Sequence, residues 1–576
     1  MIQDQNKATS ETNGDRAVLV VGAGVAGMQS ALDLADAGVK VYLVDECPTI
    51  GGRMAELERT YLDDTPAYCR LAPLLDAVLE HPNIEVISNA GVGRIGGEPG
   101  NFRVQVTQGP LRVTEDCDNC GRCVEVCPIK PYDRFNEGLM LRTAIDIRNP
   151  HSIAARCHIE KETPICQETC PVHIDIRRYV GLVADGRYEE ALAEIRKQNP
   201  LPAICGRVCH HPCEAACNRG HQDEPVAIDA IKRFAADYEL ALRKAGKSFL
   251  PAVPKKMADS RVAVVGAGPA GLTVAHDLAL LGHESTIFEG APVPGGMLWL
   301  AIPEYRLPRD IIQTEVDYIK HLGVEIRLST PIGPELTIDN LLEQGFKAVF
   351  LGIGAHRGLK LRVEGEDDFE GFLDCIQFLR RVNLGDRSKP GRKVVVIGGG
   401  NSAIDSARTA LRVGSDEVTI LYRRTRREMP ANSWEIDEAE HEGVRLEYLA
   451  APVRILGDSG KVCGMVCRRM ELGKLDDSGR RRPVPIEGSE FEIETDCVVP
   501  AISQEPEISF LHEGHGLEIS RWNSIVINKR TGMTNRPGIF SGGDADTGPA
   551  TVIEAIAAGH VAAAGIHRYI QDRETD

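Results

Sequence analysis

The chain has 576 residues, enough for about three or four domains, and its composition is that of an ordinary globular protein. Its net charge of −18 at pH 7 argues against general nucleic-acid binding, which requires a basic surface. The sequence contains no apolar run near the roughly 18 residues that a membrane-spanning helix needs. Because residues 1–16 are polar and do not resemble a secretory signal, we expect a disordered tail and a cytoplasmic location.

The cysteine content is the unusual feature of the composition. The chain has 17 cysteines, and eleven of them fall between Cys117 and Cys217. A secreted disulfide protein would be shorter and would carry a signal peptide. In a chain without such a signal, dense CxxC and CxxxC spacing indicates metal or iron–sulfur ligation in a reducing compartment.

Residues 17–114 predict a partial FAD-like Rossmann module. A strand at Val18–Val21 leads into a GxGxxG turn, and a second strand at Val39–Val44 ends at an acid. In such a unit the glycines allow a tight turn and close approach of a pyrophosphate, and the acid accepts from a ribose hydroxyl. A complete flavin site also needs a C-terminal half, so the occupancy of this copy stays open. Its candidate residues are Gly22, Gly24, Gly27 and Asp45.

Residues 115–240 predict an iron–sulfur domain with a ferredoxin-like part and a helical part. The first four cysteines follow the CxxCxxCxxxCP spacing of bacterial ferredoxins. Zinc also takes four cysteines, but it does not usually use this spacing, so iron–sulfur is the better interpretation. Each four-iron cluster takes four ligands, so eleven thiols are enough for two clusters and are one short of the number for a third. The candidate ligands are Cys117, Cys120, Cys123, Cys127, Cys157, Cys166, Cys170, Cys205, Cys209, Cys213 and Cys217.

A second and more complete copy of the nucleotide fingerprint follows a basic, proline-containing linker at 241–260. It opens residues 261–392, the first part of an FAD-binding domain, with a strand at Val262–Val265. The same offset of 244 residues separates Gly22 from Gly266 and Asp45 from Glu289, so the fold unit occurs twice. The candidate flavin-binding residues are Gly266, Gly268, Gly271, Glu289, Gly295 and Gly296.

Residues 393–500 predict the NAD(P)-binding domain. A strand at Val394–Ile397 enters a glycine turn, and the strand at Glu417–Tyr422 ends in arginines instead of an acid. Arginines suit the 2′-phosphate of NADP through charge-assisted bonds, whereas a solvated basic patch is the simpler alternative. The pattern favours NADP without excluding NAD. The candidates from spacing are Gly398, Gly400, Ala403, Arg423 and Arg424.

Residues 501–576 predict the second part of the FAD-binding domain. An apolar strand delivers Asp544 to a glycine turn, and a helix starts near Val552. The two flavin-type segments therefore bracket the NAD(P) unit, which is the insertion order of two-dinucleotide-binding flavoproteins. We expect an α/β fold with tandem Rossmann-like domains. The candidates from this segment are Gly543, Asp544 and Thr551.

Residues 150–570 resemble the small subunit of glutamate synthase and its relatives, including the large subunit of NADPH-dependent ferredoxin:NAD oxidoreductase. The matching text includes CGRVCHHPCEAAC, GGMLWLAIPEYRLP, VVVIGGGNSAIDSART and GIFSGGDADTGPATVIEAIAAG. The resemblance implies two [4Fe-4S] clusters in the N-terminal helical domain and FAD at the flavin-type residues and at Arg306. It also implies a nicotinamide nucleotide at Asn401 and at the candidates of residues 393–500. Relatives often begin the cluster domain with CxxC, whereas here Cys157 has no such partner.

Residues 17–165 resemble the flavin-dependent subunit of heterodisulfide reductase. The matching text includes VLVVGAGVAGMQSALDLADAGVKVYLVDECPTIGGRM, CDNCGRCVEVCPIK and FNEGLMLRTAI. The family implies a flavin here, but the C-terminal half of its flavin domain is missing from this copy. We therefore carry over neither electron bifurcation nor a definite second FAD.

Together these features predict a flavin and iron–sulfur oxidoreductase that works within a larger enzyme. Flavin links a two-electron carrier, NAD(P)H, to one-electron clusters, so we expect electrons to pass through FAD to a partner protein. The expected partner is a heterodisulfide-reductase-like protein or a ferredoxin, in a hetero-oligomer. No catalytic side chain is identified, because hydride transfer to flavin requires no side-chain acid or base.

Two alternatives remain. The chain could be the electron-input small subunit of glutamate synthase, although that subunit needs no extra N-terminal module. It could also be a non-catalytic iron–sulfur assembly scaffold, which the intact glycines of the two C-terminal units oppose.

Overall fold

The structure is a computed structural model. It describes residues 17–57, 59–61, 64–98, 100–109, 120–127, 140, 142–146, 158–159, 163–246, 251, 253, 255–257, 259–476, 479–511 and 514–575. The chain divides into two compact units, Met1–Thr163 and Pro164–Asp576. The expected iron–sulfur domain at 115–240 spans this division.

The N-terminal unit contains a parallel sheet of three strands in the order β1-β2-β3, with β4 and β5 forming an antiparallel pair. Helix α1 buries Met28, Ala31 and Ala35, whose spacing puts them on one helical face. The elements are β1 Ala17–Val21, α1 Val25–Asp36, β2 Lys40–Val44, α2 Ala67–Glu80, β3 Ile84–Ile87, β4 Ala90–Glu98, β5 Asn101–Gln108, α3 Arg122–Val126, β6 Ile145–Asp146 and β7 His158–Ile159.

The second unit begins with a group of helices that carries six of the cysteines. The helical part predicted within 115–240 contains two successive helices that are separated where the chain turns at Gly186, with φ +74°. The Tyr179 hydroxyl donates to the Ile228 carbonyl at 3.1 Å and ties the first of these helices to the last of the group. The helices are α4 Ile165–Glu168, α5 Ile176–Ala184, α6 Tyr188–Arg196, α7 Pro202–Val208, α8 Pro212–Ala215 and α9 Ile228–Lys244.

The rest of the second unit alternates strands and helices. Its strands are β8 Arg261–Val265, β9 Glu284–Phe288, β10 Glu325–Arg327, β11 Ala348–Leu351, β12 Arg357–Gly358, β13 Lys393–Ile397, β14 Glu417–Tyr422, β15 Arg445–Tyr448, β16 Ala450–Asp458, β17 Lys461–Leu475, β18 Arg481–Glu494, β19 Cys497–Pro500, β20 Gln504–Glu505 and β21 Ile539–Ser541. Its helices are α10 Pro269–Leu280, α11 Met297–Leu300, α12 Arg309–His321, α13 Ile338–Glu343, α14 Cys375–Asn383, α15 Asn401–Arg412, α16 Ser433–His441, α17 Asp544–Thr547 and α18 Val552–Thr575.

Two parallel sheets organise these elements. The first has the strand order β10-β9-β8-β11-β21, and the second has the order β15-β14-β13-β19. Strand β21 returns to pair with β11 after the whole second sheet has been formed, so the second sheet is an insertion in the first. This arrangement confirms the predicted tandem Rossmann-like fold. Strands β16, β17 and β18 form an antiparallel sheet beside it.

Apolar runs at the centre of both sheets explain their burial. Four of the five residues of β8 are buried, and the same holds for β13. Such near-continuous apolar strands are typical of parallel sheets that are covered on both faces. Within the part of the chain that the structure describes, no helix combines the length and apolarity needed to span a bilayer.

Candidate flavin, nucleotide and cluster sites

A cleft of about 450 Å³ lies in the second unit, beyond the carboxyl ends of β8 and β11. This is where open α/β sheets usually bind their ligands. Many of the residues predicted from the sequence line this cleft, although they belong to segments that are far apart in the chain. The predicted residues in its wall are Gly266, Gly268, Glu289, Gly296, Arg306, Asn401, Asp544 and Thr551.

The glycine turn at 266–271 has the backbone that the fingerprint requires. Gly266 has φ +95°, and a Cβ there would lie 2.4 Å from the Gly352 carbonyl oxygen. A Cβ on Gly271 would lie 2.0 Å from the Gly266 oxygen, so helix α10 can approach the turn only with glycine at this position. By contrast, a Cβ on Gly268 would meet no atom within 4 Å. The space beside Gly268, at the start of α10, can therefore receive a pyrophosphate.

The acid at the end of β9 is held by the same turn. Glu289 accepts from the Ala267 amide at 2.7 Å and from the Ala291 amide at 2.8 Å. Burial raises the pKa of its carboxyl group, while these amides lower it. Each carboxylate oxygen has a second lone pair, which fits the predicted contact with a ribose hydroxyl.

The loop after β9 rests on this turn. The Gly295 amide donates to the Ala267 carbonyl at 2.9 Å, and Gly295 and Gly296 have φ +109° and +54°. A Cβ on Gly296 would lie 2.9 Å from the Gly268 Cα. The glycine pair therefore permits a close contact between two backbone segments at the cleft.

The C-terminal segment completes the cleft. Gly543 has φ +69°, and Asp544 accepts from the Ala550 amide at 3.2 Å. Burial raises the pKa of Asp544 to about 6. The Thr551 hydroxyl donates to the Glu554 carboxylate at 2.6 Å and accepts from the Glu554 amide at 3.4 Å, so its side chain caps α18.

Arg306 lies in the cleft wall, but its charge is already engaged. Its Nη1 donates to Asp405 at 2.6 Å, and its Nη2 bonds to Glu435. Burial raises the pKa of Asp405 to about 6 despite the arginine. Asp405 lies on α15 and Glu435 on α16, so this ion group connects the two nucleotide-type domains. The sequence patterns did not single out either acid.

A third glycine turn, at 398–403, belongs to the inserted sheet. A Cβ on Gly398 would lie 2.2 Å from the Ala501 oxygen and 3.4 Å from the Ala403 side chain. Gly400 caps α15, and the Asn401 side chain accepts from the Asn432 amide at 3.3 Å. This turn therefore has the features of a second phosphate site at a helix N-terminus.

The two candidate arginines after β14 have different surroundings. Arg424 is only 4% exposed; it donates to Asp476 at 2.7 Å and to the Arg481 carbonyl at 2.7 Å. Arg423 is exposed, and its pKa is lowered by partial burial and by the neighbouring charges of Arg424 and Arg480. Arg423 is thus the better placed of the pair to meet a phosphate, while Arg424 supports the β17–β18 hairpin.

The N-terminal fingerprint has the same local geometry. A Cβ on Gly27 would lie 1.8 Å from the Gly22 oxygen, and no atom lies within 4 Å of a Cβ built on Gly24. Asp45 accepts from the Ala23 amide at 2.5 Å and from the Cys47 amide at 2.7 Å. The turn itself is therefore complete in both copies.

Two of the predicted cluster ligands, Cys117 and Cys157, lie outside the described residues. Cys120, Cys123 and Cys127 lie in the N-terminal unit, around α3. No group of three metal-ligating side chains in the described ranges is arranged to hold a single metal ion. A four-iron cluster differs from such an ion because each cysteine binds a different iron.

The electrostatic effects of one thiol on another connect the six cysteines of the helical group into two sets. The larger set is Cys170, Cys205, Cys209 and Cys213. Burial raises the pKa of Cys205 and of Cys213 to about 12, and the buried Lys232 lowers both. Thiols with such pKa values need a nearby cation to become thiolates, as an iron–sulfur cluster would provide.

The smaller set contains Cys166 and Cys217. Hydrogen bonds with backbone groups lower the pKa of Cys217, and the largest effect comes from Val226. Amide hydrogen bonds to sulfur stabilise a thiolate, which fits a cluster ligand. This set has two thiols among the described residues, fewer than a four-iron cluster requires.

The cluster region reaches the flavin-type cleft through α7. Val208 and His210, which flank Cys209, line the same cleft as Gly268 and Asp544. His210 was not among the site residues predicted from the sequence. Its position next to a candidate cysteine was the signal that could have identified it.

A flavin-type sheet with an inserted nucleotide-type sheet, each carrying a glycine turn, defines the class of two-dinucleotide-binding oxidoreductases. The chain belongs to the pyridine nucleotide-disulphide oxidoreductase family, which matches residues 260–559. Residues 141–244 match the 4Fe-4S domain II of dihydropyrimidine dehydrogenase, and residues 17–66 match the FAD dependent oxidoreductase family.

Three curated relatives illustrate the similarity. The β subunit of NADPH-Fe(3+) oxidoreductase from Geobacter sulfurreducens is 44% identical over 74% of this chain and 66% of its own length. The β subunit of NADP(+)-dependent formate dehydrogenase from Moorella thermoacetica is 45% identical over 72% of this chain and 61% of its length. The glutamate synthase [NADPH] small chain of Escherichia coli is 32% identical over 77% of this chain and 94% of its length.

These findings confirm the predicted resemblance to the small subunit of glutamate synthase. They also confirm the class of FAD-dependent NAD(P)H oxidoreductases with an iron–sulfur domain. The chain spans less than two thirds of the length of the two β subunits. The roles of individual residues remain predictions.

Proposed function

We propose that this chain is the nucleotide-oxidising subunit of a hetero-oligomeric enzyme. It binds NADPH at 393–500 and FAD at 261–392 and 501–576, and it delivers electrons through [4Fe-4S] clusters at 115–240 to a partner protein. The names of two relatives, each a β subunit of an NADP-linked oxidoreductase, support both the nucleotide and the hetero-oligomer.

One observation carries this proposal: the residues on both sides of Cys209 line the flavin-type cleft. A cluster ligated by Cys209 would therefore lie beside the flavin, with no further domain between them. FAD supplies the required chemistry when bound, because flavin exchanges a hydride with nicotinamide and single electrons with clusters. The residues of the chain would hold the two groups in place and exclude water.

The choice of nucleotide rests on the arginine after β14. Arg423 is exposed beside a second, fixed arginine, which favours an anionic ligand such as the 2′-phosphate of NADP. A relative named as an NADPH enzyme agrees with this choice. NADP is thus the proposed nucleotide, and NAD is the weaker alternative.

The cluster content is proposed as two. The first would use Cys170, Cys205, Cys209 and Cys213, because Cys209 raises the pKa of Cys205 and Cys213, and Cys170 raises the pKa of Cys209 and Cys213. Three cysteines of the ferredoxin spacing, Cys117, Cys120 and Cys123, would bind the second, with its fourth ligand coming from farther along the chain. Cys166 and Cys217 leave a third cluster open, and the N-terminal fingerprint leaves a second FAD open.

The direct test is an anaerobic titration of the cluster-loaded protein with NADPH and, separately, NADH, followed by visible absorbance. We expect NADPH to bleach the flavin bands and the broad cluster bands together. Bleaching of the flavin alone would show that the clusters are not in contact with it. If neither nucleotide bleaches either cofactor, the alternative of a non-catalytic scaffold gains support.

The electron-input subunit of glutamate synthase is the second candidate. The chain matches 94% of the length of the Escherichia coli small chain, so nearly the whole of that subunit is represented here. NADPH-dependent formation of glutamate on addition of a glutamate synthase large subunit would favour this candidate. The additional N-terminal unit and the lower identity favour the first proposal.

A further inference from the structure

Among the described residues, the first strand of the N-terminal unit has one edge that no other strand covers. In the second unit, β8 lies between β9 on one side and β11 on the other. In the N-terminal unit, β1 pairs with β2, and within the described ranges no strand pairs with its other edge. The two copies therefore differ in whether the central strand of the fingerprint is covered.

The hydrogen bonds show which groups are affected. The Gly22 amide donates to Val44 at 2.7 Å, as the Gly266 amide donates to Phe288 at 2.8 Å. On the opposite edge of β8, the Val265 carbonyl accepts from the Gly352 amide at 2.8 Å. Because residues of a strand alternate between its two neighbours, Val21 is the counterpart that faces the open edge.

Side-chain exposure and space lead to the same conclusion. Val21 is 64% exposed, whereas Val265 is 6% exposed. A Cβ on Gly266 would meet the Gly352 oxygen at 2.4 Å, but a Cβ on Gly22 would meet no atom within 4 Å. The turn at Gly22 thus has the shape that admits a neighbouring carbonyl, and the space for that carbonyl is open.

We infer that the open edge of β1 receives a strand from a partner subunit. The strand would run parallel to β1, would be apolar, and would end in glycine, as Val349–Gly352 does beside β8. It would cover Val21 and supply an amide to the Val21 carbonyl. Added strands of this kind bind through main-chain hydrogen bonds, and side-chain pockets give specificity.

The choice of a partner subunit rests on the proposed function, in which the chain works in a hetero-oligomer. Two relatives carry the designation of β subunits, which supports that setting. Val25, at the start of α1, is also 45% exposed, so an apolar patch adjoins the open edge. Proteins usually protect such edges, because an open apolar strand promotes aggregation.

Hydrogen exchange with mass spectrometry tests this inference on the full chain. Exchange of the segment Ala17–Val21 is compared between the cluster-loaded chain alone and the complex that an affinity-tagged chain forms in its native host. We expect at least tenfold slower exchange of this segment in the complex. The opposite edge strand, Ile84–Ile87, is the internal control and should not change.

Two variants make the test specific. V21P removes the edge amide, and V21K adds a charge at the edge; each should lower retention of the partner about tenfold or more. L79K changes an exposed residue on α2 and is the matched control, with retention unchanged. NADPH should still bleach the flavin of all three variants, which separates this inference from the proposed function.

Three results would overturn the inference. The segment Ala17–Val21 is already protected in the isolated chain, or it gains no protection in the complex, or no complex forms. A complex that consists only of two copies of this chain would likewise exclude a strand from a different subunit.

Discussion

In both glycine turns of the FAD type, the acid at the end of the second strand accepts from the alanine amide that follows the first glycine. The distances are 2.5 Å for Asp45 and Ala23 and 2.7 Å for Glu289 and Ala267. The loop after each acid also returns to the same alanine, through Gly51 at 2.8 Å and Gly295 at 2.9 Å. The local bonding of residues 17–52 is thus repeated in residues 261–296.

The surroundings of the two turns differ. Around the second turn, β11, β21 and α18 close a cleft, and Gly266 contacts the segment after β11. Around the first turn, the described residues provide the sheet β1-β2-β3 and helices α1 and α2, but no strand that pairs with the other edge of β1. A glycine fingerprint therefore specifies a turn, whereas a flavin site also needs the segments that cover it.

The largest expected effect concerns flavin content. G268V should remove FAD from the second unit, because the side chain would fill the space beside the turn. The apoprotein should still fold, since no atom lies within 4 Å of the new Cβ. Flavin released per chain by acid measures the effect. G24V is the matched control and should leave that flavin in place; an equal loss in both variants would break the comparison.

Nucleotide preference tests how the third glycine turn, at 398–403, differs from the first two. The next strand ends at an acid after each of the first two turns, whereas it ends in arginines after the third. R423A should weaken NADPH binding tenfold or more and affect NADH little, because a charged hydrogen bond contributes about 1.5–3 kcal/mol. R424A should change the ratio of the two affinities less, since Arg424 is bound to Asp476. The dissociation constants of NADPH and NADH are obtained from how the rate of flavin bleaching depends on the nucleotide concentration. Equal losses for NADPH and NADH in R423A would contradict the predicted phosphate contact.

Stability should respond alike in the two copies. G271A and G27A would each place a Cβ within 2.0 Å of a carbonyl oxygen. Overpacking of this kind typically costs about 1–3 kcal/mol. Hydrogen exchange of β8 and of β1 should therefore accelerate in the respective variants. A neutral effect of G27A would indicate that the first turn is less rigid than the second.

The smallest expected effect depends on pH and should be confined to the second unit. The pKa of Asp544 is about 6, raised from 3.8 by burial. Between these values the folded state holds the proton more tightly than the unfolded state, so this group stabilises at low pH and the stabilisation is lost as pH rises through about 6. In flavin-free protein, the difference in Tm between wild type and D544N should change between pH 4.5 and 7. A constant difference would contradict the raised pKa.

Much of the fold could be predicted because its signals are local. Each glycine turn lies between an apolar strand and a helix within a short segment, so spacing alone identified Gly266 and Gly398. The insertion order also follows from the sequence, since the segment at Asp544, which belongs to the flavin-type domain, comes after the glycine turn at Gly398. The structure confirms this order through the pairing of β21 with β11.

The contacts of charged side chains could not be predicted in the same way. Arg306 meets Asp405, which lies 99 residues farther along the chain, and Glu435 beyond it, and Arg424 meets Asp476 on a hairpin. Such pairs depend on how distant segments pack, and no periodic pattern encodes them. The same holds for Cys209, whose neighbours line the flavin-type cleft only because α7 packs there.

The central claim is that electrons enter at the flavin of the second unit and leave through the clusters. Rapid anaerobic mixing with NADPH, followed at flavin and cluster wavelengths, tests it most directly. We predict that the flavin bands bleach first, that the cluster bands follow, and that G268V shows neither change. Cluster bleaching that precedes flavin bleaching, or that persists in G268V without FAD, would contradict this route.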